Sequence, residues 1–173
     1  MEEALMMEIF ILRHGDASSN AKKLTDDSKR SLSENGVKEI ENASNFFEEL
    51  EINFDHIFSS PLKRAKQTSE IILKKQSKSN FTELEELKPE GRVEEICKKL
   101  SSQKENIKVL IVGHNPLLVD LTNYIINSAD QISTNISLKT GGIIKIKVSS
   151  VEPKMKGELQ LMLPPKLIRK FCK

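Results

Sequence analysis

The sequence predicts an α/β fold, a single three-layer α/β/α domain with a mainly parallel central sheet and an antiparallel edge strand. Three observations carry this expectation. Glu8 to Arg13 (EIFILR) and Ile107 to Val112 (IKVLIV) are short apolar runs rich in branched residues, which read as buried strands. Segments with apolar residues three and four apart separate the strand-like runs. The length, 173 residues, suits one hydrophobic core, and no internal repeat or linker-like stretch divides it, so residues 1–173 read as a single domain.

The elements follow in order. Met1 to Met7 reads as an N-terminal extension, and Glu8 to Arg13 as the first strand, ending at Gly15. Asp16 to Arg30 is polar and aperiodic, hence a loop. Ser33 precedes a helical pattern of Val37, Ile40, Ala43, Phe46, Phe47 and Leu50. His56 to Ser59 is a second strand, and Pro61 suits the first turn of a helix with Leu62, Ala65, Ile72 and Leu73 on its apolar side. Thr82 to Leu87 reads as a strand edge, Pro89-Glu90-Gly91 as a turn and Arg92 to Leu100 as a helix. Gly113 ends the strand Ile107 to Val112, and Pro116 to Ile126 reads as a buried helix. Gly142 to Val148 and Glu158 to Leu163 alternate like antiparallel edge strands joined by a turn near Lys156-Gly157.

Composition excludes several classes. Seven Gly and six Pro are too few for a collagen-like or low-complexity chain. Two cysteines, Cys97 and Cys172, make no disulfide framework, and a reducing cytoplasm is the expected setting. No apolar stretch is long enough for a membrane span, and Glu2 and Glu3 stand where a secretory signal carries Lys or Arg. A net charge of +2 is not a nucleic-acid signature. The charge is uneven: Lys139 to Lys173 holds nine Lys/Arg against two acids, a solvated basic surface or a place for an anionic partner.

The histidines point to the chemistry. His14 and His114 each lie just past the carboxyl end of an expected buried strand, where open α/β sheets bind ligands. His56 opens its strand and so belongs to the opposite edge. Arginine is scarce in this lysine-rich chain, yet Arg13 adjoins His14 and Arg64 begins the helix after the second strand. A guanidinium grips phosphate oxygens in bidentate fashion, and helix starts at Pro61 and Pro116 add free N–H groups. Two histidines, two arginines and two helix starts suit a phosphate. No metal-ligand spacing and no Gly-x-Ser-x-Gly elbow accompanies them, so neither a metal, another cofactor nor a serine nucleophile is expected.

Four motifs then carry a family resemblance: Leu12-Arg13-His14-Gly15, Leu32-Ser33-Glu34-Asn35-Gly36, Ser59-Ser60-Pro61-Leu62-Lys63-Arg64-Ala65-Lys66-Gln67-Thr68 and Gly113-His114-Asn115-Pro116. In this order they resemble the histidine phosphatase superfamily, with its phosphoglycerate mutase-like fold. The Arg-His-Gly-Asp-Ala opening, the Glu86 to Gly91 segment and the short chain without a large inserted cap resemble its SixA-type phosphohistidine phosphatases.

The resemblance implies that His14 accepts the phosphoryl group and that Arg13, Arg64 and a protonated His114 hold it. Asn20 matches an asparagine that contacts phosphate in several members, though such residues also serve polar loops. Asn115 is expected to start a helix whose N–H groups approach the phosphate, its side chain unassigned. Glu86 is the best match to the general acid, with Glu83 and Glu85 as rivals and a solvated acidic edge as the alternative. The implied substrate is a phosphorylated protein, such as a histidine phosphotransfer domain or a phosphocarrier, with inorganic phosphate as product. A broad small-molecule phosphomonoesterase and a non-catalytic phosphohistidine-binding module stand as alternatives.

Overall fold

A computed structural model describes residues 7–18, 26–127 and 134–171. Six strands form one sheet: β1 (Met7–Arg13), β2 (His56–Ser59), β3 (Asn80–Glu83), β4 (Ile107–Gly113), β5 (Ile143–Ser150) and β6 (Lys156–Leu163). Their order is β3-β2-β4-β1-β5-β6. The pairs β3–β2, β2–β4 and β4–β1 are parallel, whereas β5 runs antiparallel to both β1 and β6. Five helices cover the sheet: α1 (Glu34–Glu49), α2 (Lys63–Leu73), α3 (Val93–Ser101), α4 (Leu117–Ile126) and α5 (Pro165–Phe171).

Strand alternation divides the core into two layers. Phe10 and Leu12 of β1 point with Leu110 and Val112 of β4 toward Ile40 and Phe47 of α1 and Ile72 of α2. Ile9 and Ile11 point the other way, with Val109 and Ile111, toward Ile96 and Leu100 of α3 and Leu118 and Leu121 of α4. Each face of the central strands is therefore apolar, which explains why these runs carry no polar alternation.

Helix starts follow local chemistry. Ser33 caps α1, its side chain accepting from the Gly36 N–H at 3.0 Å. Proline does not occupy the first turn of α2 or α4: Pro61 precedes Leu62, the cap of α2, and Pro116 itself caps α4.

Four boundaries differ from the expectations. Met7 is no part of an extension; it is 2% exposed and pairs with Ile107 and Val148 in β1. Residues 1–6 lie outside the described residues. Thr82 to Leu87 is not one strand: β3 stops at Glu83 and a 3-10 turn, Glu85–Leu87, follows, burying Leu84 and Leu87. Lys156-Gly157 makes no turn, because Gly157 pairs with Val148 inside β6 and the chain reverses between Ser150 and Lys156. The polar Asp16 to Arg30 segment holds a 3-10 turn, Asp27–Lys29, capped by Asp26.

Among the described residues no helix is long and apolar enough to cross a membrane, and no cluster of His, Cys, Asp or Glu is arranged to hold a metal ion.

Candidate active site

The register of the two central strands builds the site. Arg13 pairs with Gly113 at the carboxyl ends of β1 and β4, and the His14 N–H donates to the Gly113 carbonyl at 3.1 Å. His14 and His114 therefore leave neighbouring strands at one level, with ring centroids 4.9 Å apart. Both are buried, at 7% and 2% exposed. His56, at the opposite end of β2, stacks on Phe58 and bonds Thr82 Oγ1 at 2.8 Å.

A cavity of about 220 Å³ opens over the pair, lined by Arg13, His14, Arg30, Arg64, His114 and Asn115 together with Asp16, Pro89 and Thr140. His14 Nδ1 lies 2.8 Å from the Gly15 carbonyl. A carbonyl only accepts, so Nδ1 carries the proton and Nε2 holds the free electron pair. Arg64 Nε approaches that Nε2 at 3.2 Å. Burial, with the positive charges of Arg64, Arg13 and Arg30, lowers the His14 pKa to about 4, against one raising hydrogen bond to Gly15. The imidazole is therefore neutral near pH 7, as a nucleophile must be.

Burial first, then His14 and the three arginines, push the His114 pKa down to about 2. Its Nε2 lies 2.8 Å from Ser60 Oγ, and its Nδ1 is buried with no partner among the described residues.

Each arginine is tied to the protein on one side and faces the cavity on the other. Arg13 Nη1 donates to the Leu138 carbonyl at 2.9 Å, while its Nε is buried and unpartnered among the described residues. Arg64, 3% exposed, donates from Nη1 to the Asp27 carbonyl at 2.9 Å and pairs with the Asp27 carboxylate at 3.1 Å. The same carboxylate holds Arg30 at 3.0 Å. Asp27 thus spaces two guanidinium groups at the cavity wall.

The loops beside His14 are fastened to α1. Ser33 Oγ donates to Asp16 Oδ2 at 2.6 Å, and the Asp16 N–H donates to Glu39 Oε2 at 2.9 Å. Gly141, at φ 66°, donates to the carbonyls of Arg13 and His14 and lies against Glu39, where a side chain would press on the Glu39 Cβ.

The structure brings His14, Arg13, Arg64 and His114 together. Asn115 also lines the cavity, its Nδ2 donating to the Leu138 carbonyl at 2.9 Å. Asn20 lies outside the described residues, as does Cys172. Glu86 does not reach the cavity: its segment enters through Pro89, and the Glu86 carboxylate faces Lys99 at 3.7 Å. Glu83 and Glu85 are likewise engaged, with Lys66 and Lys88.

Sequence reasoning missed Arg30 and Asp27. Arg30 had a signal: three of only five arginines meet here, so every arginine merited the question asked of Arg13 and Arg64. Asp27 had none, since its role depends on where an aperiodic loop returns.

Two imidazoles and three guanidinium groups meet at the carboxyl ends of adjacent parallel strands, an arrangement suited to a phosphoryl group. Comparison with known proteins agrees. The family model for the histidine phosphatase superfamily (branch 1) matches residues 9–91. Phosphohistidine phosphatase SixA of Escherichia coli is 33% identical over 115 residues, covering 65% of this chain and 70% of that protein. The solved structure of the protein histidine phosphatase SixA complexed with tungstate superposes with a TM-score of 0.80 at 26% identity, over 94% of this chain and 99% of that one. A phosphoserine phosphatase mutant from Entamoeba histolytica, bound to phosphoserine, shares the fold at 16% identity and TM-score 0.71, over 93% and 98% of the two chains. The chain belongs to the histidine phosphatase superfamily, and its activity class is phosphatase.

Proposed function

We propose that the chain is a cytoplasmic phosphohistidine phosphatase, acting on a phosphorylated histidine of a partner protein through a phosphoryl group carried on His14. The observation that carries this reading is the fixed tautomer of His14. Its Nδ1–H is held by the Gly15 carbonyl, so the Nε2 electron pair is turned to the cavity, where it accepts the Arg64 Nε–H in the place a phosphoryl group would take.

In the proposed first step Nε2 attacks phosphorus and the substrate P–N bond breaks. The substrate imidazole, protonated by solvent on its distal ring nitrogen, keeps the bonding pair and departs as neutral imidazole. Charge on the equatorial oxygens is met by Arg13, Arg30 and Arg64, with His114 donating an N–H. Water then attacks the phosphoryl-His14, inorganic phosphate departs, and Nε2 regains its electron pair.

The carboxylates support a P–N substrate. Among the described residues Asp16 is the one carboxylate lining the cavity. Burial raises its pKa, but hydrogen bonds from Ser33 and Ser18 outweigh burial and hold it below the usual range. It is therefore ionised near neutrality and has no proton to give. An alkoxide leaving group needs such an acid, whereas a substrate imidazole that solvent protonates on its other nitrogen near pH of about 6.5 leaves as the neutral ring without one.

The test is phosphate release from a phosphohistidine protein and from p-nitrophenyl phosphate, with His14→Ala beside the wild type. Release from phosphohistidine alone, abolished in the variant, is expected. Comparable release from both substrates transfers the reading to a broad phosphomonoesterase. Binding of the phosphoprotein with no release from either leaves a binding module.

A further inference from the structure

We propose that Ser60 is a positioning residue that sets the tautomer of His114 and thereby turns an N–H toward the transferring phosphoryl group. The proposal deepens the phosphoryl-transfer reading and rests on it for its catalytic consequence, though not for the tautomer itself.

Hydrogen-bond satisfaction carries the inference. Ser60 is 0% exposed, so its hydroxyl proton has no water to meet. Its Oγ already accepts the Leu62 N–H at 3.3 Å. The preceding hydroxyl, on Ser59, is turned away and donates to the Ser60 carbonyl at 3.0 Å. Among the described residues, the acceptor that remains for the Ser60 proton is His114 Nε2, at 2.8 Å.

A neutral imidazole that accepts at Nε2 bears its proton at Nδ1. Burial and the neighbouring positive charges keep His114 neutral, so the choice between tautomers is real. His114 Nδ1 is buried, has no protein partner among the described residues, and belongs to a side chain lining the cavity. The opposite tautomer fails twice. It leaves the Ser60 hydroxyl proton orphaned in the interior, and it presents a lone pair to an anion.

Backbone geometry places the serine. Ser60 follows β2 directly, its N–H donating to the Val112 carbonyl at 2.9 Å, two residues before His114 on β4. Arg64 rises from the same turn, at the start of α2. One turn therefore delivers both the guanidinium that meets His14 Nε2 and the hydroxyl that orients the second histidine.

Long-range 1H–15N correlation spectra of the phosphate-free protein at pH 7, with 15N-labelled histidine, test the tautomer directly. The expected pattern is a protonated Nδ1 and an unprotonated Nε2 on His114; the reverse pattern overturns the proposal without any variant being made. In Ser60→Ala the two His114 tautomers are expected to mix, and kcat to fall about 10- to 100-fold with KM changed much less. Ser60→Thr, which keeps the hydroxyl, is expected to restore both the pattern and most of kcat. A Ser60→Ala protein that keeps the wild-type spectrum and rate overturns the proposal. A correct wild-type tautomer in a chain that hydrolyses nothing refutes the phosphatase reading and the catalytic consequence, and leaves the assignment of the tautomer standing.

Discussion

His14 and His114 stand one residue beyond the paired positions Arg13 and Gly113 of adjacent parallel strands, their rings 4.9 Å apart. Parallel pairing in that register makes the separation a property of the sheet rather than of the loops. The arginines are held differently. Arg64 and Arg30 meet through one carboxylate, Asp27, in a turn outside the sheet.

That difference predicts how Arg64 tolerates substitution. Arg64→Lys retains a charge but loses the fork that bonds Asp27 and His14 Nε2 together. A fall in kcat/KM of about 10²-fold is expected, with weaker inhibition by inorganic phosphate. Steady-state phosphate release with phosphate titration measures both.

Stability should depend on pH through the two histidines. In the unfolded chain an imidazole takes its proton near pH 6.5. In the folded chain His14 waits until about 4 and His114 until about 2. The unfolded state binds more protons in that interval, so stability is full above about 6.5 and is lost as pH falls. The His14 share of that loss levels off near 4, and the His114 share continues toward 2. Thermal unfolding between pH 7.5 and 4.5 should show a falling Tm, and His114→Asn should flatten the slope.

Glu86→Gln tests the acid-free leaving step. The carboxylate makes one partly exposed ion pair, with Lys99, and does not line the cavity. A kcat on a phosphohistidine protein within about threefold of wild type is expected, as for loss of a weak surface pair. A loss of 10²-fold or more would show that Glu86 reaches the substrate.

Gly36→Ala should disturb the site from a distance. A Cβ on Gly36 would lie 2.0 Å from the Asp16 carbonyl oxygen, a backbone atom. Destabilisation of about 1–3 kcal/mol is expected from the clash. Denaturant unfolding gives that figure, and a kcat loss exceeding the unfolded fraction would show that the Asp16 segment supports His14.

Much of this was legible from the residues themselves. The EIFILR and IKVLIV runs are buried on both faces, so their composition alone announced central strands. Glycine and histidine at their ends located the site. Within the four motifs, Ser33 answers to the demand for a helix cap and Gly36 to a close approach by Asp16.

Other features depend on contacts that no local pattern encodes. Met7 belongs to β1 because β4 and β5 extend far enough to pair with it. Gly157 looks like a turn residue and is a strand residue because Val148 stands opposite. Glu86 matched a motif position, yet its side chain turns toward Lys99 on α3. Asp27 and Arg30 join the site because an aperiodic loop folds back over α2.

The sequence by itself determined the strand and helix types, the two histidines, the pair Arg13 and Arg64, and the family, since periodicity and motif are properties of neighbouring residues. Only the tertiary structure decided the surroundings of the two histidines, the place of Arg30 on the cavity wall and the pairing of Glu86 with Lys99. Burial and hydrogen bonding set those, and both arise between residues far apart in the chain: His14 and Arg64 are 50 positions apart, and Ser60 and His114 are 54.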